Sequence, residues 1–158
     1  MTDTLEDVAD RMAITELVHR YARHVHQHDR RDTEMMASCF TKDAVMEFDG
    51  GVSRRVSELG LTGPNDPVIL RKVDGLDRVD LSTTAATNVS VELHGDTATV
   101  ENMAVTTLVG ERDGVPAMRV RGLRFYDEVV RRNGEWKFAR RRHSLLWAFA
   151  PTPTGAGE

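Results

Sequence analysis

The 158-residue chain has one cysteine, Cys39, so no internal disulfide is open to it. Its longest apolar run extends only from Leu145 to Ala150, far short of the ~20 residues of a membrane span. Met1 to Asp10 carries no charged-then-apolar leader, and the expected location is cytoplasmic. The sequence holds no GxGxxG, no phosphate-binding glycine loop and no CxxC, so no cofactor and no resident metal is expected. Nor is there a strong charge of one sign: 21 Lys and Arg against 25 Asp and Glu leave −4, which attracts neither nucleic acid nor anionic lipid. From Arg119 to His143 basic residues are in excess, but strand alternation spreads them over two faces without aromatic stacking positions, which reads as a solvated sheet face.

What is present divides into a helical first part and a strand-rich second part. Thr4 and Asp7 form a capping-box pair, and Ile14, Leu17, Val18, Tyr21 and Val25 recur at three- and four-residue steps. A helix is expected from Leu5 to Gln27 with those residues on one stripe. Asp32 is a candidate N-cap for a second helix carrying Met35, Met36 and Phe40, which Thr41 to Asp43 should break before a strand from Ala44 to Phe48. Asp66 as cap and Pro67 in the first turn predict a third helix from Pro67 to Val73. Four long strands follow, Leu81–Leu93, Thr97–Val109, Pro116–Val130 and Glu135–Phe149, separated by turn signals at Gly95, Asp113-Gly114 and Asn133-Gly134.

Helices first and an antiparallel meander afterwards make one α+β domain over residues 1–150, with 151–158 a disordered Pro/Gly/Thr-rich tail. A strongly curled sheet closed by helices forms a cone whose interior suits a ligand.

The ordered motifs resemble the SnoaL-like branch of the NTF2-like superfamily. They are Ile14-x-x-Leu17-x-x-x-Tyr21, Asp32 eight residues before Phe40, and Phe40-Thr-Lys-Asp-Ala-Val. Thr87-Asn88-Val89, Gly95-Asp-Thr-Ala98, Gly122-x-Arg124-x-x-Asp127 and Arg131 to Ala139 with Arg141 follow in the family's order. The resemblance implies a cone-shaped, cystatin-like α+β barrel and cofactor-free acid/base chemistry on a small, hydroxylated cyclic or polyketide-like substrate, as in polyketide cyclases, dehydratases and ketosteroid-isomerase-like enzymes. It also implies a homodimer through the sheet face that the cone leaves exposed. The same fold carries non-catalytic modules that bind small molecules or partners.

Departures from the family's dehydratases bear on mechanism. Where they carry an acid five residues after the tyrosine this chain has His26, and counting back from Phe40 selects Asp29 instead. The histidine expected shortly before Asn88 is missing, and Phe125 stands where many relatives have tyrosine. The loss of both groups favours cyclisation, isomerisation or an altered dehydration.

The candidate catalytic residues are therefore Tyr21 as donor, His26 or Asp29 as acid or base, and Arg141 as the stabiliser of an oxyanion. The bland alternatives are a core tyrosine, a solvated Asp29, and Arg141 paired with Asp127 or Glu128 on the neighbouring strand. Candidate substrate-binding residues are His28, Phe40, Asn102, Phe125, His143 and Trp147. Unbroken alternation places Arg141, His143, Leu145, Trp147 and Phe149 on one face, and Asn102 among apolar residues of the Thr97 strand. His24, His28 and Asp32 have helical metal-ligand spacing but make too few ligands on one side for a zinc site. Asn88 reads as a buried amide holding a strand end, and Trp136 as a ring filling the narrow part of the cone.

Overall fold

The computed structural model describes residues 3–25, 30–58 and 75–151. Helix α1 spans Leu5–His24 and opens on the expected capping box: Thr4 Oγ1 accepts from the Asp7 amide at 3.1 Å, and Asp7 Oδ2 accepts from the Thr4 amide at 2.8 Å. It stops before Gln27, with the Val25 amide bonded to the Tyr21 carbonyl. Helix α2, Arg30–Ser38, begins earlier than expected and takes Asp32 into its first turn rather than capping on it. Strand β1, Phe40–Phe48, also begins earlier, directly after Cys39, whose carbonyl accepts from the Phe138 amide at 2.8 Å. That bond hooks the helix end onto the sheet, so residues 41–43 extend a strand where a break was expected. The Asp49-Gly50-Gly51 turn leads to β2, Val52–Arg55, and a short 3₁₀ turn at Val56–Glu58. The expected third helix lies outside the described residues.

Strands β3 (Arg78–His94), β4 (Thr97–Arg112), β5 (Val115–Arg132) and β6 (Glu135–Phe149) form the meander. Asp113-Gly114 and Asn133-Gly134 both carry positive φ at two successive residues, the conformation that tight hairpins need. The sheet order is β2-β1-β6-β5-β4-β3, curved and unclosed. It is mixed rather than wholly antiparallel. β6 inserts beside β1 and runs parallel to it, with Met46 opposite Arg141.

Register shifts along β3 and β6 control which side chains face inward. Near Asn88 (φ 53°) the partners jump from Thr87 to Ser90; Ser82, Thr84 and Ala86 face inward before the shift, and Val89, Val91 and Leu93 after it. Asn88 is thus an exposed bulge residue, not a buried amide, because the left-handed backbone is a conformation asparagine tolerates. On β6 the shifts fall at Ala139 and Leu146.

Along its stripe, α1 buries Ile14, Leu17, Val18 and Tyr21 against Ala98, Val100, Val129, Trp136 and Phe138. An ionic clamp fixes its first half to the sheet. Asp10 accepts from Trp136 Nε1 at 3.0 Å and pairs with Arg131, whose guanidinium lies 4.8 Å from the Trp136 ring and also pairs with Asp96. Trp136 fills the core as expected, and its one polar atom is satisfied.

Candidate active site

The inner face of the sheet is apolar under most of α1 and becomes polar at the helix's last turn, where Arg141 meets Tyr21. On β4 the even-numbered residues face inward, as alternation requires, and bring in Asn102 and Thr106, each about fully buried. The odd-numbered residues of β5 face inward and bring in Arg121, Phe125 and Asp127. On β6 the bulge at Ala139 changes the parity from Trp136 and Phe138 to Arg141 and His143. Were Ala139 to take its place in regular alternation, Arg141 would point to solvent.

These residues meet at Arg141. Its guanidinium carbon lies 4.0 Å from the Phe125 ring centre, 4.2 Å from Tyr21 and 4.5 Å from Phe138. Arg141 Nε stands 3.4 Å from Asp127 Oδ1, with both side chains essentially inaccessible to solvent. Nη2 donates to Asn102 Oδ1 at 3.2 Å, and Asn102 Nδ2 in turn donates to the Met103 carbonyl. Nη1 is buried with no hydrogen-bond partner among the described residues, and neither Asp127 oxygen accepts a hydrogen bond there. Next to this cluster the Thr84 and Thr106 hydroxyls lie 3.3 Å apart.

Burial dominates the proton affinities. Desolvation lifts the Asp127 carboxyl to about 7, against the opposing pull of Arg141. Burial likewise raises the Tyr21 hydroxyl, more than the Arg141 charge lowers it. His143 is pushed down to about 4, first by burial and then by Arg121 and Arg141, with Asp49 opposing. It is a neutral imidazole at pH 7, packed between Phe48 and Phe125 at 5.6 and 5.3 Å.

The structure therefore brings together Tyr21, Phe40, Asn102, Phe125, Arg141 and His143; Phe40 packs edge-on to Tyr21 at 5.6 Å. His26, His28 and Asp29 lie outside the described residues. Trp147 is not part of the group. The bulge at Leu146 leaves Leu145 inward opposite Leu123 and turns Trp147 to the outer face opposite Gly122. The indole lies where a side chain at Gly122 would be, since a Cβ there would come within 2.1 Å of Trp147 Cε2. The ion-pair alternative for Arg141 is realised with Asp127. Arg121 and Asp127 were not among the candidate site residues, although alternation running out from Phe125 reaches both.

Residues 6–142 match the SnoaL-like domain. The chain belongs to the SnoaL-like family. Among solved structures it is similar to a scytalone dehydratase-like protein of Novosphingobium aromaticivorans, with 17% identity, 96% and 97% of the two chains covered and a TM-score of 0.68. It is similar to the hexachlorocyclohexane dehydrochlorinase LinA-type3 of Novosphingobium barchaimii, with 20% identity, 95% of each chain covered and a TM-score of 0.69. Protein Rv3472 of Mycobacterium tuberculosis, of unknown function, is 26% identical over 89% of this chain and 73% of its own, with a TM-score of 0.62. A search of curated proteins gave no match. Within this SnoaL-like chain, no helix among the described residues is long and apolar enough to cross a membrane.

Proposed function

We propose that this protein is a cofactor-independent acid/base enzyme that cyclises, isomerises or dehydrates a small, hydroxylated cyclic or polyketide-like molecule against the inner face of its sheet. The observation that carries this reading is Arg141, a fully buried cation with one nitrogen, Nη1, left without a partner among the described residues. A guanidinium fixed by three rings and two side chains needs little reorganisation when negative charge develops on a substrate oxygen. Asp29 or His26, just beyond the end of α1, would remove a proton from the carbon beside a carbonyl. The resulting enolate oxygen would rest on Arg141. Tyr21, kept protonated by burial, would donate to the same oxygen or to a departing hydroxide. Asn102 spends its oxygen on Arg141, and this supports a positioning role for it rather than direct contact with substrate. Resemblance in fold to a dehydratase-like protein and a dehydrochlorinase supports elimination and proton-transfer chemistry in particular.

The test is turnover of hydroxylated bicyclic or polyketide-like ketones by wild type, D29N, H26N and Y21F. Loss of about 10²-fold or more in D29N or H26N identifies the base. Full activity in both variants would remove the proposed acid/base pair. A non-catalytic binding module is the second reading, favoured by the Asp127 and ring contacts that already occupy much of Arg141; recovery of a bound ligand chemically unchanged would support it. Self-association as a dimer is proposed through the outer sheet face, where Leu81, Val105, Trp147 and Phe149 remain exposed. Sedimentation of only a 17.7 kDa species would contradict it.

A further inference from the structure

Arg141 uses its three nitrogens in three different ways. Nε faces Asp127, Nη2 donates to Asn102, and Nη1 has no partner among the described residues although solvent does not reach it. Asp127 is equally incomplete, buried with a single cation beside it and no hydrogen bond to either oxygen among the described residues. Buried carboxylates are ordinarily saturated with donors, and one that is not gives up its charge readily. The titratable and charged described residues around the pair are Tyr21 from α1, Cys39 before β1, Arg121 from β5 and His143 from β6, with Asn102 the neutral neighbour from β4. None supplies a hydrogen bond to Asp127.

We propose that Asp127 is a charge-compensating positioning residue: it holds the Arg141 guanidinium while the site is empty and takes up a proton when an anionic oxygen, a carboxylate, phenolate or enolate, docks on Arg141 Nη1. The inference rests on the reading of Arg141 as an oxyanion site and adds a named proton acceptor to it. An incoming anion and an ionised Asp127 would share one cation in a dry site, and like charges so placed disfavour each other. Protonating Asp127 removes the conflict without moving Arg141, because Asn102 and the three rings keep the guanidinium in place. The proton balance is complete: solvent supplies one proton, Asp127 binds it, and the proton returns when the anion leaves.

The experiment is calorimetric titration of the full chain with benzoate, in buffers of different ionisation enthalpy, for wild type and the near-isosteric D127N. At pH 8 the wild type should take up about one proton per benzoate bound, and the uptake should shrink toward zero near pH 5.5, where Asp127 already carries its proton. D127N should bind benzoate about tenfold more tightly at pH 8 with no proton uptake. R141Q, or R141K should R141Q fail to fold, should lose the binding. Uptake that persists in D127N would assign the proton to another group and overturn the proposal. Weaker binding by D127N, or no binding to either protein at millimolar benzoate, would overturn it as well. Because the readout is proton-coupled binding, absence of turnover would retire the enzyme reading and leave this result standing. Uptake surviving in D127N would do the reverse.

Discussion

Strands β5 and β6 carry two arginine–carboxylate pairs one residue apart, Asp127 opposite Arg141 and Glu128 opposite Arg140, on opposite faces of the same sheet. Their separations are nearly equal, 3.4 and 3.5 Å. The inner side chains are 1% and 0% exposed, the outer ones 50% and 61%. Distance alone would rank the pairs as equivalents, but the surrounding medium separates them. Water screens the outer pair, and Arg140 divides its attention with Glu47, whose hydrogen bond at 2.6 Å holds the guanidinium firmly protonated. Inside, desolvation outweighs attraction and leaves Asp127 half-protonated near neutrality. The outer face carries further charges of both signs, including Glu101 with Arg124, and Arg142 lies 4.4 Å above Tyr126. A groove of about 470 Å³ lined by Glu47, Glu101, Tyr126, Glu128, Arg140 and Arg142 runs across it. The same residue types therefore make a solvated surface on one side and a desolvated pair with a raised carboxyl on the other.

The contrast breaks most severely at Arg141. R141M should cost about 3 kcal/mol of stability at pH 8, because it strands an ionised Asp127 in the core. The loss should be smaller at pH 5, where the carboxyl is neutral; urea denaturation at the two pH values measures both. Turnover, if the oxyanion role holds, should fall about 10²-fold or more.

Next in size come opposing pH effects. The Asp127 carboxyl ionises at its ordinary 3.8 in the unfolded chain and at about 7 in the folded one, so the stability it contributes is complete below about pH 4 and is lost as pH rises through 7. His143 works the other way: its contribution is complete above its ordinary 6.5 and is lost as pH falls through about 4. Between pH 4 and 6.5 the two slopes oppose each other. D127N should therefore lose stability on acidification more steeply than wild type, and H143N should gain it. Chemical denaturation across that range decides the matter, and parallel profiles for all three proteins would contradict the assignment.

The smallest effect is expected outside. R140A should change stability by less than about 1 kcal/mol, with a loss that shrinks further in high salt, and should leave the pH profile intact.

Much of this architecture was legible in the residues alone. The α1 stripe, the bounds of β6, the inward face of β4 with Asn102 and the two-residue turns all follow from periodicity and positive-φ preferences. The bulges at Asn88, Ala139 and Leu146 were not legible, because one inserted residue leaves composition unchanged while reversing every later side chain. This moved Trp147 out of the site, and it is also what admits Arg141 after the inward Phe138. The parallel pairing of β1 with β6 depends on contacts 95 residues apart, as between Met46 and Arg141, which local pattern does not encode. Asp127 was visible as the end of a family motif and as a partner for Arg141; its raised proton affinity comes from burial that no spacing rule reports.

The most direct measurement is the titration of Asp127 itself by carboxyl carbon-13 NMR, assigned by the signal lost in D127N. The account predicts an apparent pKa near 7 for that signal. A value near 4 for Asp127 would contradict it, since the inner pair would then be a plain ion pair no different from the outer one.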